Sequence, residues 1–219
     1  MIYLSQNSKG LTTFDLSRKS SNCISSCGIK SVCYINSNLQ DKLNKGYKKK
    51  LDRNFKLINS KNFVKKMTKE IKFNNFQRIR IFSNGDLISG NMEKSIYQLQ
   101  NIINLVKINH NNQFWLTTRN FDTLFYYFEK LGLSKPVNLN IMLSVDFENM
   151  DFIKQICDKH KIQVSYITDI KKESNCDSSK NRKSCIENNC IKCFSYSNIP
   201  RVWLIHGKFN KKRFEDLKK

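Results

Sequence analysis

From residue 60 to residue 205, short β-prone runs and helix-period stretches take turns along the chain, and few architectures tolerate that rhythm. Arg78-Ile-Arg-Ile-Phe82, Gln113-Phe-Trp-Leu-Thr117, Val137 to Ser144, Ile162 to Ile167 and Arg201-Val-Trp-Leu-Ile205 read as strands. Between them, residues 60–74 place Phe63, Val64, Met67 and Ile71 on one helical face, with Ser60 as the expected N-cap. Residues 91–108 repeat the pattern through Met92, Ile96, Leu99, Ile103 and Val106. A third helix is predicted from Phe121 to Leu131, closed by Gly132, and a fourth through Met150, Ile153 and Cys157. Adding Thr12–Leu16 as a first strand, and a helical stretch over 41–58, gives six β/α units. Such alternation predicts an α/β fold with a parallel sheet covered by helices. Six units are too few for a closed eight-unit barrel. A partial (β/α)6 barrel and a doubly wound sheet both satisfy the pattern. No internal repeat or linker divides residues 1–219, which read as a single domain.

The rhythm fails in two places, and both carry cysteines. After the first strand comes Cys23-Ile-Ser-Ser-Cys27-Gly-Ile-Lys-Ser-Val-Cys33-Tyr34. Three thiolates spaced this way can hold one soft metal centre and leave a coordination position open. After the fifth strand the expected helix is missing, and residues 170–198 are polar, charged and cysteine-bearing. They supply Cys176, Cys185, Cys190 and Cys193, with His206 after the last strand. Cys190-Ile-Lys-Cys193 can reach one ion from a single turn, and four thiolates would close a tetrahedral zinc site or a four-iron cluster. An alternative set is Cys185, Cys190, Cys193 and His206, with Cys176 completing the first site. Ligand type does not separate zinc from iron–sulfur here. The eighth cysteine, Cys157, falls on an apolar helical face and is expected in the core.

Met1-Ile-Tyr-Leu-Ser5 is not a basic segment leading into a long apolar one, so no export signal is expected. No run of about 18 apolar residues is present either, so no membrane span is expected. Reduced thiols in a cytoplasmic setting follow, and with them metal ligation rather than disulfides. Lys and Arg number 39 against 18 Asp and Glu, a formal charge of +21. A surplus of that size favours an anionic partner, with nucleic acid or a nucleotide first among them.

The remaining unusual residues share one position. Asp86, Thr118 with Arg119, Asp146, Asp169 and His206 all follow the C-terminal end of a predicted strand, as the first cysteine loop does. In parallel β/α folds that edge carries the active site, although aspartates there also cap the next helix. Asp86 and Asp146 are the candidate general base or nucleophile. His110 and His160 sit near helix ends and read as surface or capping residues.

The order of a first strand, a three-cysteine loop and five further β/α units resembles the partial barrel of radical S-adenosylmethionine enzymes. That resemblance implies a 4Fe-4S cluster on Cys23, Cys27 and Cys33, with S-adenosylmethionine on its open iron. It also implies a glycine-containing cofactor loop after the second strand, the place taken by Ser83, Asn84, Gly85 and Asp86. Arg119 and Asp146 would then face the substrate. The chain further resembles a group of phage and mobile-element proteins of the "gene product 88" type, from about residue 5 to residue 208. Cys23, Cys27, Cys33-Tyr34, Arg78 to Asp86, Phe114-Trp-Leu-Thr-Thr-Arg119, Asn140 to Asp146, Cys190 to Phe194 and Ile205-His-Gly207 carry this likeness by their order. It implies a phage- or prophage-encoded protein acting in the host cytoplasm.

Three functions fit. The first is a radical-type iron–sulfur enzyme acting on nucleic acid or a nucleotide. The second is a zinc-stabilised base-modifying enzyme of transglycosylase-like type, with Asp86 and Asp146 as nucleophile and base. The third is a non-catalytic, metal-stabilised nucleic-acid-binding protein.

Overall fold

A computed structural model describes residues 2–7, 10–17, 45–145, 150–168, 171–177, 181, 183–185 and 187–204. Seven strands are present among these: β1 Ser5–Gln6, β2 Thr12–Phe14, β3 Arg78–Ile81, β4 Gln113–Thr118, β5 Leu139–Ser144, β6 Gln163–Thr168 and β7 Arg201–Leu204. Five helices accompany them: α1 Lys45–Ile58, α2 Phe63–Phe73, α3 Met92–Ile108, α4 Phe121–Phe125 and α5 Met150–Lys159. α4 runs on into a π-helical turn, Tyr126–Lys130, in which the Leu131 amide bonds the Tyr126 carbonyl.

The strands lie in one open sheet in the order β1-β2-β3-β4-β5-β6-β7. β1 is an antiparallel addition absent from the predicted six; β2 to β7 are all parallel. This sequential order is not that of a doubly wound sheet, where strand order reverses partway. Right-handed crossovers that always step in one direction put every helix on the same face. The core agrees. Ile79, Ile81, Phe114, Leu116, Leu139, Ile141, Leu143 and Val164 join residues from all five helices in one buried cluster. The chain is thus a mixed α/β protein whose sheet is not closed.

Helix boundaries follow local chemistry. Asn91 caps α3 by accepting from the Lys94 amide at 2.9 Å, and Asn120 caps α4 by accepting from the Thr123 amide at 3.1 Å. Ser60, the expected cap of α2, does not serve: its hydroxyl donates to the Leu57 carbonyl at the end of α1. The helix instead begins after Asn62, whose side chain makes no capping bond. Cys157 is buried in the core as expected. His160 stacks on Phe128 at 5.0 Å and bonds Glu129; His110 is exposed.

Among the described residues the other sheet face carries no α-helix. Its residues alternate with the core set and include Thr13, Arg80, Trp115, Thr117, Asn140, Met142, Gln163, Ser165, Arg201 and Trp203. Part of the 170–198 segment covers it. Phe194, on a 3-10 turn over Lys192–Phe194, packs edge-on against Trp115 at 6.0 Å. Asn140 donates to the carbonyls of Cys193 at 2.9 Å and Ser195 at 3.1 Å. Five strand spacings of about 4.8 Å would separate β2 from β7 by about 24 Å on a flat sheet. Yet Leu11, leading into β2, and Arg201, opening β7, line the same small cavity. The sheet is therefore strongly curled around its helix-free face.

Candidate functional site

The C-terminal strand edge is organised by two buried carboxylates. Asp15 leaves β2 and points its oxygens at the loop after β3. It accepts from the Ser83 amide at 2.7 Å, the Asn84 amide at 2.9 Å, the Ser83 hydroxyl at 3.0 Å and the Thr13 hydroxyl at 2.9 Å. On the far side of the loop, Asp86 accepts from its neighbour Leu87 at 2.7 Å, from the Arg119 amide at 2.8 Å and from the Thr118 hydroxyl. Ser83-Asn84-Gly85-Asp86 is thus slung between the ends of β2 and β4.

Gly85 closes the arrangement. Its φ is +79°, and a Cβ there would lie 2.8 Å from both the Leu16 Cβ and the Leu16 carbonyl oxygen. The Leu16 amide bonds the Asn84 carbonyl at 3.0 Å. Asn84 Oδ1 is buried and has no hydrogen-bond partner among the described residues. Burial pushes Asp86 up to about 6, against the opposing pull of the Thr118, Arg119 and Leu87 bonds. Both of its oxygens are engaged by donors on the protein, which gives it a positioning role on this edge.

Arg119 is half-buried at the exit of β4, next to Asp86. Asp146, Cys23, Cys27, Cys33 and His206 lie outside the described residues. On periodicity Asp15 falls within the first predicted strand, which hides it as a site residue. The signal was there: an acidic residue closing a strand otherwise made of Thr and Phe.

A second constellation lies on the helix-free face. Cys176, Cys185, Cys190 and Cys193 line a cavity of about 20 Å³ together with Leu11, Trp115, Phe194 and Arg201. Cys176 therefore sits with the later three cysteines. Burial pushes the Cys193 thiol up to about 12; Arg201 and Arg80 oppose the shift, while Cys176 and Cys185 add to it. No group of three or more His, Cys, Asp or Glu among the described residues is already arranged to hold an ion. On this sheet face several buried polar atoms have no hydrogen-bond partner among the described residues: Arg80 Nε, Trp115 Nε1, Thr117 Oγ1, Asn140 Oδ1 and Arg201 Nε. The Arg80 guanidinium lies 4.2 Å from the centre of the Trp115 ring. The alternation of arginine and isoleucine in Arg78-Ile-Arg-Ile81 was the available sequence sign of a polar inner face.

These features define an α/β protein with a singly wound, curled sheet, a braced polar loop on its C-terminal edge and a thiol-lined cavity on its concave side. A family model described as gene product 88 matches residues 4–198, and the chain belongs to that phage protein family. Comparison with curated proteins and with solved structures gives no match. No helix among the described residues is long and apolar enough to cross a membrane.

Proposed function

We propose that this chain is a metalloenzyme of the radical S-adenosylmethionine type, acting on nucleic acid or a nucleotide. The supporting observation is the Ser83–Asp86 loop, braced by Asp15 and by Thr118 and Arg119 on a sheet of six sequential parallel strands. By chain order Cys23, Cys27 and Cys33 follow β2, and they would hold a 4Fe-4S cluster beside that loop. When bound, such a cluster supplies the electron for reductive cleavage of S-adenosylmethionine. The protein's own part is to hold the loop rigid and to present Asn84 Oδ1, a buried acceptor without a partner, to the cofactor's amino group. Arg119 and Asp146 would face the substrate, and the charge of +21 would draw a polyanion to the site.

The test is anaerobic purification with iron and sulfide analysis, an absorption spectrum, and an assay for S-adenosylmethionine cleavage after reduction. A brown protein that cleaves the cofactor, and loses both properties in Cys27→Ala, would support the proposal. A colourless chain holding only zinc would end it. The zinc-dependent base-modifying alternative needs Asp86 as nucleophile or base, and its carboxylate already accepts three protein bonds. If no turnover is found, salt-sensitive nucleic-acid binding would favour the non-catalytic reading.

A further inference from the structure

The helix-free face buries cations without an anion to match them. Arg201 is 7% exposed, and its bonds go to the neutral carbonyl and side-chain oxygens of Asn175. Arg80 is half-buried, and its guanidinium lies over the Trp115 ring. Neither arginine forms an ion pair among the described residues. A buried, unpaired charge is expensive. Arg201 lines the cavity with the four thiols, and Arg80 lies over the Trp115 ring that lines it too.

We propose that Cys176, Cys185, Cys190 and Cys193 close on a single divalent ion of the zinc type, and that Arg80 and Arg201 are the counter-charges of the resulting tetrathiolate. The charges balance. Four thiols release four protons, one M²⁺ enters, and the complex carries a net charge of −2 against two guanidiniums. The orphaned N–H groups of Arg80, Trp115 and Arg201 would then have sulfur acceptors, which thiols supply weakly and thiolates well.

Cavity size favours a single ion over a cluster. A space of about 20 Å³ suits one water-sized occupant. A four-iron cube brings eight atoms and would push Trp115 and Phe194 apart. Cys185 lies in a turn and Cys176 and Cys190 lie outside helix and strand, while Cys193 sits on the 3-10 turn with Phe194. The ion would pin the segment before β7 onto β4 and β5, where Phe194 and Asn140 already hold it. This site stands independently of the three-cysteine loop.

The test uses the full chain with Cys23, Cys27 and Cys33 all changed to Ser, so that only the later thiols can bind. Titration with Co²⁺ should give one ion per chain, with thiolate charge-transfer bands and the strong visible bands of tetrahedral sulfur coordination. Zinc should displace it one for one. Arg80→Met should weaken Co²⁺ binding by about 10-fold or more with unchanged stoichiometry, and Arg80→Lys should restore most of it. On the unaltered chain, zinc should protect Cys176, Cys185, Cys190 and Cys193 from alkylation, and a chelator should expose them. A folded chain giving no tetrahedral thiolate spectrum, or alkylated equally with and without zinc, would overturn the metal site. Iron–sulfur absorption in the triple-serine chain after anaerobic reconstitution would overturn the single ion. Unchanged affinity in Arg80→Met would overturn the counter-charge role. None of these results bears on whether the first loop carries a cluster.

Discussion

Asp86 shows how one buried carboxylate can brace a loop and still cost stability. Its folded-state pKa of about 6 lies above the ordinary value of 3.8. The folded state therefore holds its proton to higher pH than the unfolded chain does. Stability from this group is full below about pH 4 and declines as pH rises towards 6, by about 3 kcal/mol in all. Asp86→Asn should abolish that slope in urea-unfolding experiments run from pH 4 to 7. It should also lower stability at pH 4 by about 1–3 kcal/mol, because an amide cannot satisfy all three donors. Gly85 has a steric rather than an electrostatic role. Gly85→Ala forces a positive φ on a residue with a Cβ and drives that carbon into Leu16. A loss of about 2 kcal/mol or more is expected by thermal unfolding. The motif Ser83-Asn-Gly-Asp86 was visible in the sequence, and so was its place after a strand. Its clamp was not, because Asp15 lies 68 residues from Ser83 and no local pattern links them.

At the scale of single elements, the helix starts differ in what their asparagines do. Asn120 caps α4 and also donates to the Ile88 carbonyl at 3.0 Å, joining the loop after β3 to the end of β4. Asn91 only caps α3, and Asn62 at the start of α2 makes no capping bond. Replacement by Ala should therefore cost most at Asn120, about 2 kcal/mol, then about 1 kcal/mol at Asn91, and little at Asn62. Chemical denaturation of the three variants would rank them. Helix existence was readable from the 3.6-residue period of Met92 to Val106 and of Phe63 to Ile71. The start of α2 was misplaced because Ser60 found a closer acceptor in the preceding turn.

For the molecule as a whole, two properties are separable. One is the +21 charge, which acts at long range and is screened by salt. Binding to single- or double-stranded nucleic acid should fall steeply, by at least tenfold between 50 and 200 mM salt, in a titration followed by fluorescence anisotropy. A flat salt profile would show that the charge is not used for a polyanion. The other is the curl of the sheet, which brings Leu11, just before β2, and Arg201 of β7 to the lining of one cavity together with the cysteine-bearing segment. Periodicity alone determined that strands and helices would alternate, that the sheet would be largely parallel, and that polar residues would gather where strands end. Those follow from side-chain spacing and turn chemistry, which are local. Whether strands run in sequential or reversed order, which face the described helices cover, and which cysteines share a space were decided only in three dimensions. They depend on crossover handedness and on residues far apart in the chain meeting around one space, as Leu11 and Arg201 do in lining one thiol-bearing cavity.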